Sequence, residues 1–339
     1  MKASILYEFN QPLLWQETDR PTPGPTEVLI QVMACGIDGT DLKLLSGFGY
    51  APDLPFIMGH EIAGVIAEVG DHVIDFKLGE WVIAYNFTTC GECLPCLTAH
   101  EQLCVNMGSI LGVKGKNGGY AEYVVVPERQ LVRISPGVTW TDAAICCDAG
   151  LTAFHAVDRS RLKVGETVLI IGIGGVGSVA VQVAKAAGAC VFAVEVSAEK
   201  EAWAREMGAD ETLNPSRVDI PATVRELTNG FGVDCVIDIV GQSATIGDGI
   251  NALRHGGRLL LVGYTPDYYA LEGKYLAQNE LELIGTRAGR KQDLINAVSF
   301  MASDKAESIV TQTFPMKEAN EALAALRYGE VCGRIVLLT

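Results

Sequence analysis

Hydrophobic positions along the 339-residue chain change their rhythm once, near Thr141. Before that point short apolar runs recur between turn residues. The rigid Pro21-Thr-Pro-Gly-Pro25 segment leads into Glu27-Val-Leu-Ile-Gln-Val32, and Gly64-Val-Ile-Ala-Glu-Val-Gly70 and Glu80-Trp-Val-Ile-Ala84 follow at short spacing. Strand-length runs punctuated by glycine predict an antiparallel, barrel-like domain. Beyond Thr141, near-continuous apolar runs at 167–171, 190–195, 234–240, 258–262 and 281–284 alternate with helix-patterned segments at 175–187, 198–207 and 244–253. Strands apolar on both faces and separated by helices predict a parallel sheet covered on both sides. Past Gly289 the pattern gives helices at 292–301 and 319–326 and a last strand at 334–338, with no internal repeat.

Composition narrows the class. Hydrophobic residues make up 49% and charged residues 20%, enough for two sizeable cores. Lys and Arg number 26 against 41 Asp and Glu, a formal charge of −15. Such a polyanion repels phosphate backbones and anionic membrane surfaces, which argues against nucleic-acid or membrane partners. Residues 167–184 carry no charge and are long enough to suggest a membrane span, but Gly172, Gly174, Gly175 and Gly177 divide them into strand, turn and helix. At the amino terminus Glu8 interrupts before a signal-peptide core develops. Four of the ten cysteines crowd into one loop, a pattern of metal binding in a reducing compartment, so a cytoplasmic location is expected.

The segment Ile170-Ile-Gly172-Ile-Gly174-Gly175-Val176-Gly177 ends a predicted strand and opens a predicted helix. Its glycines permit a tight turn and let backbone N–H groups approach a pyrophosphate at the positive end of the helix. The next strand ends at Glu195, placed to accept both hydroxyls of a ribose and to repel a 2′-phosphate; no Arg follows, so NAD is favoured over NADP. FAD and S-adenosylmethionine share the physics of the loop alone. Cys90-x-x-Cys93-x-x-Cys96-x7-Cys104 can place four thiolates tetrahedrally around zinc, in a closed structural site. An iron–sulfur cluster or a redox Cys-x-x-Cys pair are the rivals, and the ferredoxin-type spacing to a fourth cysteine before proline is not present.

Taken together the motifs resemble the zinc-containing alcohol dehydrogenases of the medium-chain dehydrogenase/reductase superfamily, over essentially the whole chain. The markers are Gly36-Ile-Asp-Gly-Thr-Asp41, Gly59-His-Glu61, the four-cysteine lobe, Gly119-Tyr-Ala-Glu-Tyr-Val-Val-Val-Pro127, Ala149-Gly-Leu-Thr152 and the glycine loop. The resemblance implies an α/β chain with a GroES-like β-barrel catalytic domain at 1–149 and 289–339, its structural zinc lobe near 86–108. A Rossmann NAD-binding domain at 150–288 completes it, with the active site in the cleft between the two. Dimers or tetramers acting on a small-molecule substrate are the family's usual form.

Where the family's catalytic zinc has two cysteines and a histidine, this sequence has Asp38, His60 and Asp148. Two carboxylates with a neutral imidazole carry the same charge as the thiolate set, and oxygen binds Zn²⁺ at about 2.0–2.2 Å. The harder oxygens weaken the preference for zinc over Mn²⁺ or Mg²⁺. Cys35 and Cys146 read as small buried hydrophobes, and Cys147 as a possible substitute ligand. By family position Asp41 orients the imidazole, Glu61 approaches the ion, and Thr40 bonds the substrate oxygen and opens a proton relay in which Lys43 replaces the usual histidine. Arg334 matches the residue that meets the cofactor pyrophosphate, and Thr40, Tyr50, Asn86 and Phe87 are expected in the substrate pocket. Two other readings stand beside this one: an NAD(P)H-dependent reductase of conjugated C=C bonds with the catalytic zinc lost, and a catalytically silent NAD-binding protein.

Overall fold

Six parallel strands form the sheet of one unit, Thr152–Gly289, in the computed structural model, which describes residues 1–329 and 331–339. Across the sheet they run Glu211–Leu213, Cys190–Val194, Thr167–Ile171, Val233–Asp238, Leu253–Leu261 and Glu282–Gly285. This is the Rossmann order, whose direction of winding reverses beside Thr167–Ile171, the place where such sheets bind nucleotides. Leu169, Ile171, Phe192, Val194, Val236 and Leu259 pack on one face against Ile220, Val224 and Ile250 from two helices. The long uncharged stretch resolves into the strand Thr167–Ile171, the glycine turn and the helix Gly175–Ala186. Among the described residues no helix is long and apolar enough to cross a membrane. Gly172 sits at φ +93°, open to glycine at no steric cost. A Cβ on Gly177 would lie 2.0 Å from the Gly172 carbonyl oxygen, so the helix rests directly on the turn.

The other unit joins Met1–Leu151 to Arg290–Thr339. Its main sheet has seven strands built around Glu27–Ile37, which runs antiparallel to Glu61–Val69 for nearly its whole length. On its other side the first half pairs with Tyr123–Pro127 and the second half with Arg334–Leu338. The strand continues past Val32 through small residues, Ala34, Cys35 and Gly36, that are fully buried or nearly so. Register then does the positioning. Gly36 lies opposite Glu61 on one side and Val336 on the other, and Ile37 opposite Ile335, so Asp38, Glu61 and Arg334 meet at one end of three adjacent strands.

Two further segments reach that end. The short helix Gly39–Leu45 begins at Asp38, and the helix Trp140–Ile145 passes into a π-helical turn, Cys146–Gly150, that carries Asp148. Turns of this kind are frequent at functional sites. Gly150 lets the turn lie against Ala297 of the helix Lys291–Met301, where an added Cβ would be 3.0 Å from the Ala297 methyl.

A Cβ at Gly36 would fall 1.7 Å from Glu61 Oε2, whereas one at Gly39 would meet nothing within 4 Å. Gly36→Ala is therefore expected to cost about 1–3 kcal/mol of stability. Gly39→Ala is expected to change it by less than about 0.5 kcal/mol. Urea midpoints at constant m-value check both.

Candidate metal centre and dinucleotide loop

Asp38 caps the helix Gly39–Leu45, and the cap divides its oxygens. Oδ1 accepts the backbone N–H groups of Thr40 at 2.8 Å and Asp41 at 3.3 Å. In return Asp41 Oδ2 accepts the Asp38 N–H at 3.0 Å, a reciprocal capping box. The remaining oxygens flank an imidazole. Asp38 Oδ2 stands 3.7 Å from His60 Nε2, and Asp41 Oδ1 stands 3.7 Å from His60 Nδ1. Thr40 also donates its hydroxyl to Asp38 Oδ2 at 3.3 Å.

Arg334 enters the same cluster. Its Nη2 donates to Glu61 Oε1 at 2.5 Å and to Asp148 Oδ2 at 3.1 Å, while Nε donates to Glu61 Oε2 at 3.1 Å. Asp38 Oδ2 lies 3.9 Å from the same guanidinium. Sequence reasoning gave Arg334 to the pyrophosphate; the structure gives its guanidinium, with the side chain 8% exposed, these carboxylate partners. Its charge offsets part of the carboxylates' own.

The electrostatics follow from burial and these neighbours. Burial raises Glu61 to about 7 although Arg334 pulls it down, and burial with the Asp38 charge raises Asp148. Burial would raise Asp38 too, but His60 and Arg334 outweigh it and hold that carboxyl well below its usual range. Burial opposes a charge on His60, and Asp38 and Asp41 overcome it, lifting the imidazole well above its usual value.

The donor set fits a divalent ion. One ligand atom each from Asp38, His60 and Asp148 can be chosen so that all lie within 4.8 Å of one another. Cys147 is turned away, its thiol donating to the Ile62 carbonyl at 3.4 Å, and Cys35 and Cys146 are fully buried in the core. Of the expected pocket residues, Asn86 and Phe87 are buried and Thr40 and Tyr50 are half-buried, as is Lys43 of the expected relay.

The cysteine lobe fits zinc closely. Its sulfurs are separated by 4.0 Å (Cys90–Cys96), 3.4 Å (Cys93–Cys96), 3.9 Å (Cys93–Cys104) and 3.6 Å (Cys90–Cys104). Four sulfurs about 2.3 Å from a common centre stand about 3.8 Å apart, far beyond a disulfide bond. Backbone N–H groups of Cys96 and Val105 lower the Cys93 thiol to about 6, favouring the thiolate that binds metal.

In the nucleotide-type sheet no side chain caps the helix Gly175–Ala186, which starts from Gly174, and a Cβ at Gly174 would meet nothing within 4 Å. Open backbone at a helix N-terminus is an anion site. Gly172, Gly175, Val176 and Gly177 complete this turn. Glu195 lies just beyond the adjacent strand, its Oε2 accepting the Ile173 N–H at 2.9 Å and its Oε1 the Val196 N–H at 2.8 Å. One lone pair on each oxygen remains for a diol.

The sequence singles out Arg334 but not its carboxylate partners, and it does not single out Tyr120. Arg334 carries no local signal of where it points, because strand register decides that. Tyr120 stands inside the Gly119-Tyr-Ala-Glu motif, so its place was visible while its role was not.

A closed thiolate site, an acidic imidazole site and a Rossmann glycine turn together define a zinc-containing dehydrogenase. Residues 24–136 match the model of the alcohol dehydrogenase GroES-like domain, and residues 175–303 that of the zinc-binding dehydrogenases. An alcohol dehydrogenase of Geobacillus stearothermophilus is 35% identical, with 99% of each chain aligned. An NAD-dependent alcohol dehydrogenase of Sulfolobus acidocaldarius is 36% identical, also over 99% of each. The solved structure of AibC superposes with a TM-score of 0.94 at 35% identity, covering 100% of this chain and 95% of that one. The chain belongs to the zinc-containing alcohol dehydrogenase family.

Cys93→Ser is expected to reduce bound zinc by one ion per chain. Elemental analysis of the purified variant beside the parent checks this.

Proposed function

We propose that this chain is an NAD-dependent oxidoreductase that interconverts an alcohol and its carbonyl at Asp38, His60 and Asp148. The gathering of those three donors in a chain so similar to alcohol dehydrogenases carries the reading. Bound there, a divalent ion supplies Lewis acidity toward the substrate oxygen, and bound NAD supplies the hydride acceptor. His60 offers Nε2, while Asp41 Oδ1 faces its other ring nitrogen at 3.7 Å, the side from which a carboxylate sets the tautomer. Asp38 and Asp148 each offer an oxygen; the first is held in place by the helix cap, the second by Arg334. Arg334 also holds Glu61 beside the site.

Thr40 presents a hydroxyl next to Asp38 Oδ2 and relays the proton of the alcohol, releasing its own hydroxyl proton onward as it accepts that one. Lys43 lies three residues on, along the same face of the helix, and forms the outward end of that route. The backbone of Gly172, Gly174, Gly175, Val176 and Gly177 receives the pyrophosphate and Glu195 the adenosine ribose. Residues 1–149 and 289–339 act as the catalytic domain and 150–288 as the NAD-binding domain. The crowding of four cysteines into one metal-binding loop supports a cytoplasmic location. The edge strand Glu282–Gly285, paired on one side, supports association into a homodimer or homotetramer. The C=C reductase reading is not favoured, since the curated relatives named above are alcohol dehydrogenases.

A panel of secondary alcohols and α,β-unsaturated carbonyls is expected to show NAD-linked alcohol oxidation, lowered by on the order of 10²-fold in kcat/KM in His60→Ala. Turnover confined to the unsaturated carbonyls overturns the proposal.

The metal-free imidazole is held protonated by its two carboxylates, so metal binding must release that proton. Apparent affinity at this site is therefore expected to fall about tenfold for each unit by which pH is lowered through neutrality. Competition with a chromogenic chelator at stepped pH measures the slope.

A further inference from the structure

Three buried polar atoms next to the centre lack a hydrogen-bond partner: Asp41 Oδ1, His60 Nδ1 and the Tyr120 hydroxyl. Asp41 and Tyr120 are 0% exposed and His60 is 2% exposed, so bulk water does not satisfy them. Buried polar groups are nearly always paired, and three orphans around one carboxylate call for a common explanation.

Tyr120 is fixed in place. Its N–H donates to the Met58 carbonyl at 3.0 Å, and its own carbonyl accepts the Ser4 N–H at 2.8 Å. Its ring fills the space above Gly59, where a Cβ would lie 2.4 Å from Tyr120 Cδ1 and 2.8 Å from Cys35 Sγ. Gly59 immediately precedes His60, so the ring packs directly on the backbone that carries the imidazole. Burial, then the nearby Asp41 charge, keeps the phenol protonated and able only to donate toward that carboxylate.

Asp41 has one oxygen to spare, because Oδ2 is committed to the Asp38 N–H. The other, Oδ1, has two lone pairs and faces His60 Nδ1 at 3.7 Å. We propose that Tyr120 is a positioning residue of the metal centre: its hydroxyl donates to Asp41 Oδ1, the oxygen that also accepts His60 Nδ1–H, and so fixes the imidazole with Nε2 toward Asp38 and Asp148. One small movement of Asp41 then satisfies all three orphans. The inference rests on the reading of His60 as a metal ligand, and its two readouts separate the failure of one from the failure of the other.

The test is Tyr120→Phe, which removes one oxygen and leaves the ring to fill its space. In protein that retains zinc in the cysteine lobe and is stripped elsewhere, the variant is expected to lower Tm by about 2–4 °C. Removal of an orphaned hydroxyl would leave Tm unchanged or raise it. Titrated with Co²⁺, the variant is expected to bind about tenfold more weakly at this site, with a shifted visible absorption band. Asp41→Asn alone and combined with Tyr120→Phe is expected to give the same affinity, because both act through one carboxylate. An unchanged or raised Tm overturns the proposal. Co²⁺ affinity and spectrum equal to the parent's overturn the positioning role even where Tm falls. A lowered Tm with no second Co²⁺ site in either protein supports the Tyr120–Asp41 bond and overturns the metal reading instead.

Discussion

Four carboxyl groups, those of Asp38, Asp41, Glu61 and Asp148, share one largely buried space with a single guanidinium and a single imidazole. Every other feature of the centre answers to that balance. Carboxylates at this depth are costly unless each finds a donor or a counter-charge. Here the costs are distributed. Asp38 and Asp41 take backbone N–H groups at a helix start, Glu61 and Asp148 take Arg334, and His60 stands between the first pair. The arginine and a protonated imidazole supply two positive charges among four carboxyl groups, and the imidazole's charge is given up when a cation binds.

Strand register delivers these groups to one point. Gly36 is both the neighbour of Glu61 across the sheet and the residue whose missing side chain leaves room for the Glu61 carboxylate. The same end of the sheet receives Arg334 from the last strand. A shift of one residue in either pairing would turn Glu61 or Arg334 to the opposite face. The chemistry of the site thus depends on backbone pairing between segments far apart in the chain.

The nucleotide-type sheet was the more legible part of the sequence. Strands buried on both faces leave unbroken apolar runs, so 167–171 coincides with Thr167–Ile171 and 190–195 overruns Cys190–Val194 by one residue. Legibility failed where composition and pairing diverge. Leu253–Leu261 begins well before the apolar run at 258, because Arg254-His-Gly-Gly257 reads as a turn while Leu253 already pairs with Val233. Glu27–Ile37 outlasts Val32 for the corresponding reason. In the centre, local spacing and resemblance singled out Asp38, His60 and Asp148, and the cysteine lobe announced itself. Resemblance marks Arg334 without its carboxylate partners and says nothing of Tyr120, since their places arise from a register and from a packed ring. The π-helical turn under Asp148 was equally silent.

The central claim is that two carboxylates and an imidazole hold a divalent ion in the place of a thiolate set. Anomalous diffraction from metal-replete crystals, collected on both sides of the zinc absorption edge, tests it most directly. The account predicts two anomalous peaks per chain, one enclosed by Cys90, Cys93, Cys96 and Cys104 and one by Asp38, His60 and Asp148. A single peak in the cysteine lobe, with Arg334 closed upon Asp38 as well as Glu61 and Asp148, would contradict it.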